Sequence, residues 1–507
     1  MTCTGTANLR AAVIAALVAI AVVGGCRVMP SDGAFDWHSC GPGDGVAPAA
    51  IPTSVAHRVT CGRLIVELDP DDPGAGTVTL AVARLAAAGP SSGTLVMNPG
   101  GPGGSGVRAL AGSAAVLASQ PFSADHDVVS FDPRGVGASR PAVVCRTDAE
   151  RDAERAMDLG LRSAAGIADI ESHRRTVADR CRERVGADFL ARVGTAYAVS
   201  DLEQLRRRLE VEEISYLGYS YGTRLGIEYA QRHPEHVRAL ILDGMVEPDE
   251  DPIDAVVEQM AGFQGAFDAF ARDCATRSEC PLGARPDRAV AEYRELVTPL
   301  IADPLLVGDR ALSAGDAETA TIDALYQRSR WAELRAALAA LAGGDGSGLL
   351  RMADGYEGRD ADGGYDHRQD AFLAISCADD RRIDDPERWD ELDRRTRAAA
   401  PFGDDGRGTG QGPTGLCDYW TPADPLSGDV VGAELPPAAP TPLVVATTGD
   451  PATPYATGAA FAREVGADLI TVSGHDHTAV FAGDRCIDDA VAGYLSDPTE
   501  LPRDLTC

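Results

Sequence analysis

The chain has 507 residues and no lysine, so all of its fixed positive side-chain charge is arginine. Lys+Arg total 46 against 77 Asp+Glu, a formal charge of -31. A phosphate backbone needs clustered cations, so this balance excludes a nucleic-acid binder. It also excludes a phosphate-cradling P-loop, which needs its own lysine. No CxxC pair and no Cys/His cluster of zinc spacing occurs, so no metal is expected and the cysteines are left for other chemistry. No internal repeat is present. Nor does the N-terminal apolar run reach membrane-spanning length: Ala11–Val23 is 13 residues, too short for a comfortable transmembrane helix.

That run follows a single Arg10 and fits the apolar part of an export signal. Val23-Gly24-Gly25-Cys26 resembles a bacterial lipobox, in which Cys26 would carry a lipid. Setting Cys3 and Cys26 aside leaves ten of the 12 cysteines, an even number that reads as disulfides in an oxidising compartment. They fall as near neighbours: Cys40 with Cys61, Cys145 with Cys181, Cys274 with Cys280, Cys377 with Cys417, and Cys486 with Cys507. Connectivity is not determined by sequence alone. At 44% hydrophobic residues the mature chain can build a sizeable core.

Short apolar runs ended by turn residues predict strands at 63–68, 77–82, 94–97, 128–131, 214–217, 239–242, 443–446 and 468–472. Helical patterns lie between them, one over Ser200–Leu209 with Ser200 as the candidate N-cap. Buried strands alternating with helices predict an α/β fold with a mostly parallel sheet of about eight strands. Helical stretches dominate from Pro252 to about Pro440, including 256–275, 287–302, 331–341 and 386–399. The expected organisation is a signal over 1–26, a core over 27–251, a helical insertion over 252–440, and the rest of the core over 441–507.

Gly218-Tyr219-Ser220-Tyr221-Gly222 follows one of these strands and opens a helix. A serine at such a turn needs small residues two positions either side, because the backbone there is strained and tightly packed. That marks Ser220 as a nucleophile, on the pattern of the α/β-hydrolase fold. The fold's oxyanion hole takes one N–H from the residue after the nucleophile, here Tyr221, and one from a glycine-rich loop. That loop is Asn98-Pro99-Gly100-Gly101-Pro102-Gly103-Gly104. Its prolines have no N–H, which leaves Gly100, Gly101 and Gly103, with Gly101 preferred. The triad runs Ser, acid, His in chain order. Asp450 follows strand 443–446, and His475 and His477 follow strand 468–472, so either ring can serve. Metal ligation by the His475/His477 pair lacks a carboxylate cluster, and no cofactor is expected.

Together these pieces resemble the secreted tripeptidyl aminopeptidases and related exported α/β-hydrolases of actinobacteria, relatives of proline iminopeptidase. The matching stretches are Asn98–Gly106, Asp132–Gly137, Gly218–Thr223, Leu242-Asp243-Gly244, the segment around Asp450, and the ending His477-Thr478 … Cys486 … Tyr494-Leu495. In the family the catalytic His lies about nine positions before a Cys, which selects His477. Asp476-His477-Thr478 stands where many relatives have Gly-His-Gly, so His475 stays in play. The resemblance implies a serine peptidase that cuts short peptides from free N-termini beneath a helical cap, which matches 252–440. An acid must then pair with the substrate ammonium. Glu247 and Asp249 are the expected pair, with Asp379 and Asp380 as alternatives. An esterase or lipase-like hydrolase would use the same triad, and a non-catalytic surface binding protein could keep the fold.

Overall fold

In the computed structural model the described residues are 35–47, 49–247, 250–383, 385–420, 432, 434–500, 502 and 504–507. The expected export signal, Cys3 and Cys26 lie outside them. Strands β1 (His38–Ser39), β2 (Val59–Glu67), β3 (Thr77–Leu85), β4 (Gly93–Asn98), β5 (His126–Phe131), β6 (Ile214–Tyr219) and β7 (Val237–Asp243) come first. A small hairpin, β8 (Leu305–Val307) and β9 (Arg310–Leu312), precedes β10 (Leu443–Thr447), β11 (Asp468–Val472) and β12 (Leu505–Thr506). All but the hairpin form one ten-stranded sheet in the order β1-β2-β3-β5-β4-β6-β7-β10-β11-β12. The pairings from β5 through β4 to β12 are parallel, and those among β1, β2, β3 and β5 are antiparallel.

The expected eight strands are all present, and the two beyond them are the two-residue edge strands β1 and β12. Each runs straight into a disulfide, Cys40–Cys61 at one edge and Cys486–Cys507 at the other. Two residues carry no periodicity, so neither strand is visible in the sequence. All five expected disulfides form. They indicate an exported protein. Among the described residues no helix is long and apolar enough to cross a membrane.

The central strands are covered on both faces, which is why they read as unbroken apolar runs. Successive side chains alternate between two clusters, as a pleated strand requires. Leu95, Leu217, Ile241 and Val445 join one cluster; Val96, Tyr216, Leu242 and Val444 join the other. A third cluster, built largely from Phe263, Phe267, Phe270, Tyr293, Leu334, Leu338 and Phe402, belongs to the helical segment between β7 and β10.

Two helix expectations change. The helix expected from Ser200 starts at Thr195 with Gly194 as N-cap, so Ser200 lies inside it. The stretch 287–302 breaks into Ala289–Val297 and Pro299–Ala302. Pro299 has no N–H to continue the first helix and begins the second.

The Asp132-Pro133-Arg134-Gly135 motif is a structural brace. The buried Asp132 carboxylate accepts hydrogen bonds from Ser105 Oγ (2.6 Å) and from the N–H groups of Val107 (3.0 Å) and Ala138 (2.7 Å). It thereby pins the start of helix Gly106–Ser119 beside the glycine-rich loop. The Arg134 guanidinium is fully buried against Asp201 (2.6 Å) and the carbonyls of Glu67, Leu68 and Arg192.

Candidate active site

Ser220 sits between β6 and helix Tyr221–Arg232 with φ 53° and ψ -127°, a conformation that L-residues rarely adopt. The flanking glycines make this turn possible. A Cβ on Gly218 would come within 2.3 Å of the Gly222 carbonyl oxygen, and one on Gly222 within 2.6 Å of the Asn98 carbonyl oxygen. The elbow is tied down by Ser220 N–H donating to the Asp243 carbonyl (2.9 Å) and by Thr223 Oγ1 donating to the Ser220 carbonyl (2.6 Å).

The glycine-rich loop lies directly against this turn. Gly100 has φ 79°, and a Cβ there would meet the Tyr219 carbonyl oxygen at 2.3 Å. Its N–H donates to Asn98 Oδ1 (2.9 Å), so it is not available to an oxyanion. Gly101 lines the cavity with Ser220 and Tyr221, and its N–H is unused among the described residues. The Tyr221 N–H is one of the free donors of a helix start. Asn98, buried beneath the loop, is a residue the sequence reading named only as part of its motif.

Asp450 is buried and bonded to His477, whose Nδ1 lies 2.9 and 3.0 Å from its two carboxylate oxygens. The same carboxylate accepts the N–H groups of Ala452 (2.9 Å) and Thr453 (2.8 Å) and the Thr453 hydroxyl (3.1 Å). Asp450 thus both starts the turn before Pro451 and orients the imidazole. His475 lies instead against Trp331, ring centroids 5.9 Å apart. The His477 ring stands next to the serine elbow: a Cβ on Gly244, which follows the Asp243 that holds Ser220, would be 3.3 Å from His477 Cε1.

Asp243 holds the histidine loop from the other side. Its Oδ2 accepts the N–H groups of Ala479 and Val480, each at 2.8 Å, while its Oδ1 is buried without a partner. Burial pushes this carboxyl up to about 7, against those two N–H groups. Between the unfolded carboxylate range and 7 the unfolded chain is ionised while the folded chain keeps its proton. Stability therefore falls as pH rises through that window. Asp243→Asn is expected to lose this decline, roughly 2–3 kcal/mol between about pH 5 and pH 8. Urea midpoints of parent and variant at the two pH values measure it. Parallel curves would remove the protonated Asp243.

A cavity of about 230 Å³ opens beside Ser220, Tyr221 and Gly101. Its lining includes the apolar side chains of Pro102, Met245, Val256 and Phe372 and the charged ones of Glu247, Glu250, Glu258, Asp380 and Arg224. Glu247 therefore lies where the sequence placed it, whereas Asp249 falls outside the described residues. Asp379 is buried beneath the cavity rather than in its lining, accepting the Thr195 N–H (2.7 Å) and hydroxyl (2.6 Å). Asp380 faces the cavity and pairs with Arg224 at 3.4 Å. Burial lifts Glu250 to about 7, helped by the charges of Glu258 and Glu247. Glu250 and Glu258 are new to the list. Helical spacing could have found Glu258, which shares a face with Ala255 and Gln259 on helix Pro252–Ala275.

The family model for the alpha/beta hydrolase fold matches residues 93–463. Serine protease Hip1 of Mycobacterium tuberculosis is 43% identical over 455 residues, covering 88% of this chain and 87% of that protein. Carboxylesterase B of the same organism is 44% identical over 478 residues, covering 93% and 89%. Tripeptidyl aminopeptidase of Streptomyces lividans is 28% identical over 487 residues, covering 93% and 86%. A match across most of the chain, on a sheet carrying a strained serine elbow and an Asp–His pair, places the chain in the α/β-hydrolase family as a serine hydrolase.

Proposed function

We propose that the protein is a serine exopeptidase that releases short peptides from free N-termini through an acyl-enzyme on Ser220. In this reading His477 Nε2 takes the Ser220 proton as Oγ attacks the scissile carbonyl and gives it to the leaving amine. It then takes a proton from the water that cleaves the acyl-enzyme and returns it to Ser220 Oγ as the short peptide leaves. Asp450 holds the ring by Nδ1 and stabilises its charged form. The Gly101 and Tyr221 N–H groups receive the oxyanion. No hydrogen bond from the Ser220 hydroxyl is formed among the described residues, so the proton transfer is inferred from placement. The reading includes export with Cys26 as the lipid acceptor, and residues 252–440 as a cap insertion.

The observation that carries the peptide reading is the acidic lining of the cavity beside Ser220. Glu247, Glu250, Glu258 and Asp380 line the cavity with Arg224 as the only basic residue among its described lining residues, which suits a substrate ammonium and not a fatty acyl chain. The relatives' names divide between protease and carboxylesterase, so the esterase is the second reading.

An unblocked tripeptidyl anilide, its N-acylated form and a short nitrophenyl ester separate the two. The exopeptidase cleaves the unblocked anilide and not the acylated one; ester turnover without anilide turnover would sink it. Lowering the pH from about 7 to about 5.5 completes the protonation of Glu250 while the substrate amine, with a pKa of about 8, stays mostly charged. KM for the unblocked anilide is then expected to rise roughly tenfold, with KM for the ester unchanged. An equal rise for both would remove the acids from amine recognition. Cys26→Ser should move the activity from the membrane fraction to the medium, and retention there would count against the anchor.

A further inference from the structure

The histidine loop is fastened to the helical segment as well as to the sheet. The His477 N–H donates to the Tyr326 carbonyl (2.8 Å), and the Tyr326 ring stands edge-on to the imidazole with centroids 5.5 Å apart. One residue earlier, Asp476 Oδ1 accepts the Arg328 N–H at 2.6 Å, across 148 positions of sequence. Arg328 opens the turn Arg328–Arg330, which runs directly into helix Trp331–Ala342. The residue before it, Gln327, supplies no side-chain cap. The Asp476 carboxylate fills that place from a distant part of the chain, where a negative group meets free N–H donors and the positive end of the helix. Asp476 is not among the described residues that line the cavity.

The bond to Asp450 sets the tilt of the imidazole but leaves the loop's position to other contacts. Two adjacent hydrogen bonds, at 476 and 477, hold the loop backbone at a fixed distance from residues 326 and 328. We infer that Asp476 is a positioning residue: by capping the helix start at Arg328 it holds His477 where its Nε2 can serve Ser220. The inference rests on His477 being the general base. It makes the helical segment part of the base's support as well as a wall of the substrate cavity.

Four single variants isolate this bond. Asp476→Ala removes the acceptor and Asp476→Asn keeps an acceptor oxygen. Arg328→Pro removes the donor. The extended backbone of Gln327 (φ -143°, ψ 127°) is what a residue before proline requires, and the first helical position accepts proline. Arg328→Ala keeps the N–H and removes only the guanidinium, which lies 5.7 Å from the Trp331 ring.

Fluorophosphonate labelling of Ser220 reads its activation without peptide recognition, and ester kinetics separate kcat from KM. Asp476→Ala and Arg328→Pro are each expected to slow labelling and lower kcat about ten- to hundredfold with KM little changed. Asp476→Asn restores most of the rate, Arg328→Ala labels close to the parent, and the double variant Asp476→Ala/Arg328→Pro is no slower than either single. If Asp476→Ala does not fold, the two Arg328 variants decide. Parental labelling in Arg328→Pro while His477→Ala is dead overturns the inference, as does a fully additive double variant. Parental labelling in His477→Ala is a different failure: the base itself is then misassigned.

Discussion

Ser220→Ala is expected to lower kcat on every substrate by about 10⁵- to 10⁶-fold and to abolish fluorophosphonate labelling. No neighbouring hydroxyl can take over. The strained backbone at φ 53° is what presents this one side chain at the head of helix Tyr221–Arg232, and the hydroxyls of the adjoining Tyr219 and Tyr221 are held by the Val480 carbonyl and by Asp379. The fold should survive the change, because the elbow is held by backbone bonds to Asp243 and Thr223. Alanine at a positive φ costs about 1–2 kcal/mol relative to glycine, but serine already bears that strain. Turnover that persists in a folded Ser220→Ala protein would exclude the acyl-serine route.

The second large effect separates two histidines only two positions apart. His477→Ala is expected to lower kcat by about 10⁴-fold or more. His475→Ala should stay within about tenfold of the parent, since its ring packs on Trp331 and carries no bond to Asp450. Steady-state kinetics on the ester, where amine recognition plays no part, give the comparison. A loss confined to His475→Ala would reverse the assignment and would leave the 2.9 Å contact between Asp450 and His477 without a catalytic purpose.

Much of this site is legible in the chain because its strain is local. The Gly218 and Gly222 positions admit no Cβ, and the loop at Gly100 needs a positive φ, so the sequence must carry glycine where the backbone demands it. The strands are equally legible: β4, β6, β7 and β10 are buried on both faces, and burial of that kind leaves an apolar run no surface residue would keep. The edge strands β1 and β12 were invisible because two residues have no pattern, and a nearby disulfide supplies what hydrogen bonds cannot. The helix at Thr195 began earlier than expected because its start has no side-chain cap to announce it.

The acids show the other limit. Among 77 acidic residues, nothing in spacing distinguishes Asp380, which lines the cavity, from Asp379, which is consumed by Thr195 one residue away. Glu247 and Glu250 lie before the helix Pro252–Ala275 and Glu258 on it, and only folding brings the three into one cavity lining.

The sequence alone therefore showed the serine elbow, the glycine-rich loop and the chain order of the candidate Ser, Asp and His, because each depends on what a few consecutive residues allow the backbone to do. Only the tertiary structure decided which histidine meets Asp450, which carboxylates share the cavity with Ser220, and that Asp476 caps a helix 148 positions earlier. Those outcomes depend on distances between segments far apart in the chain. Packing of the helical segment against the sheet sets such distances, and no local pattern of residues encodes them.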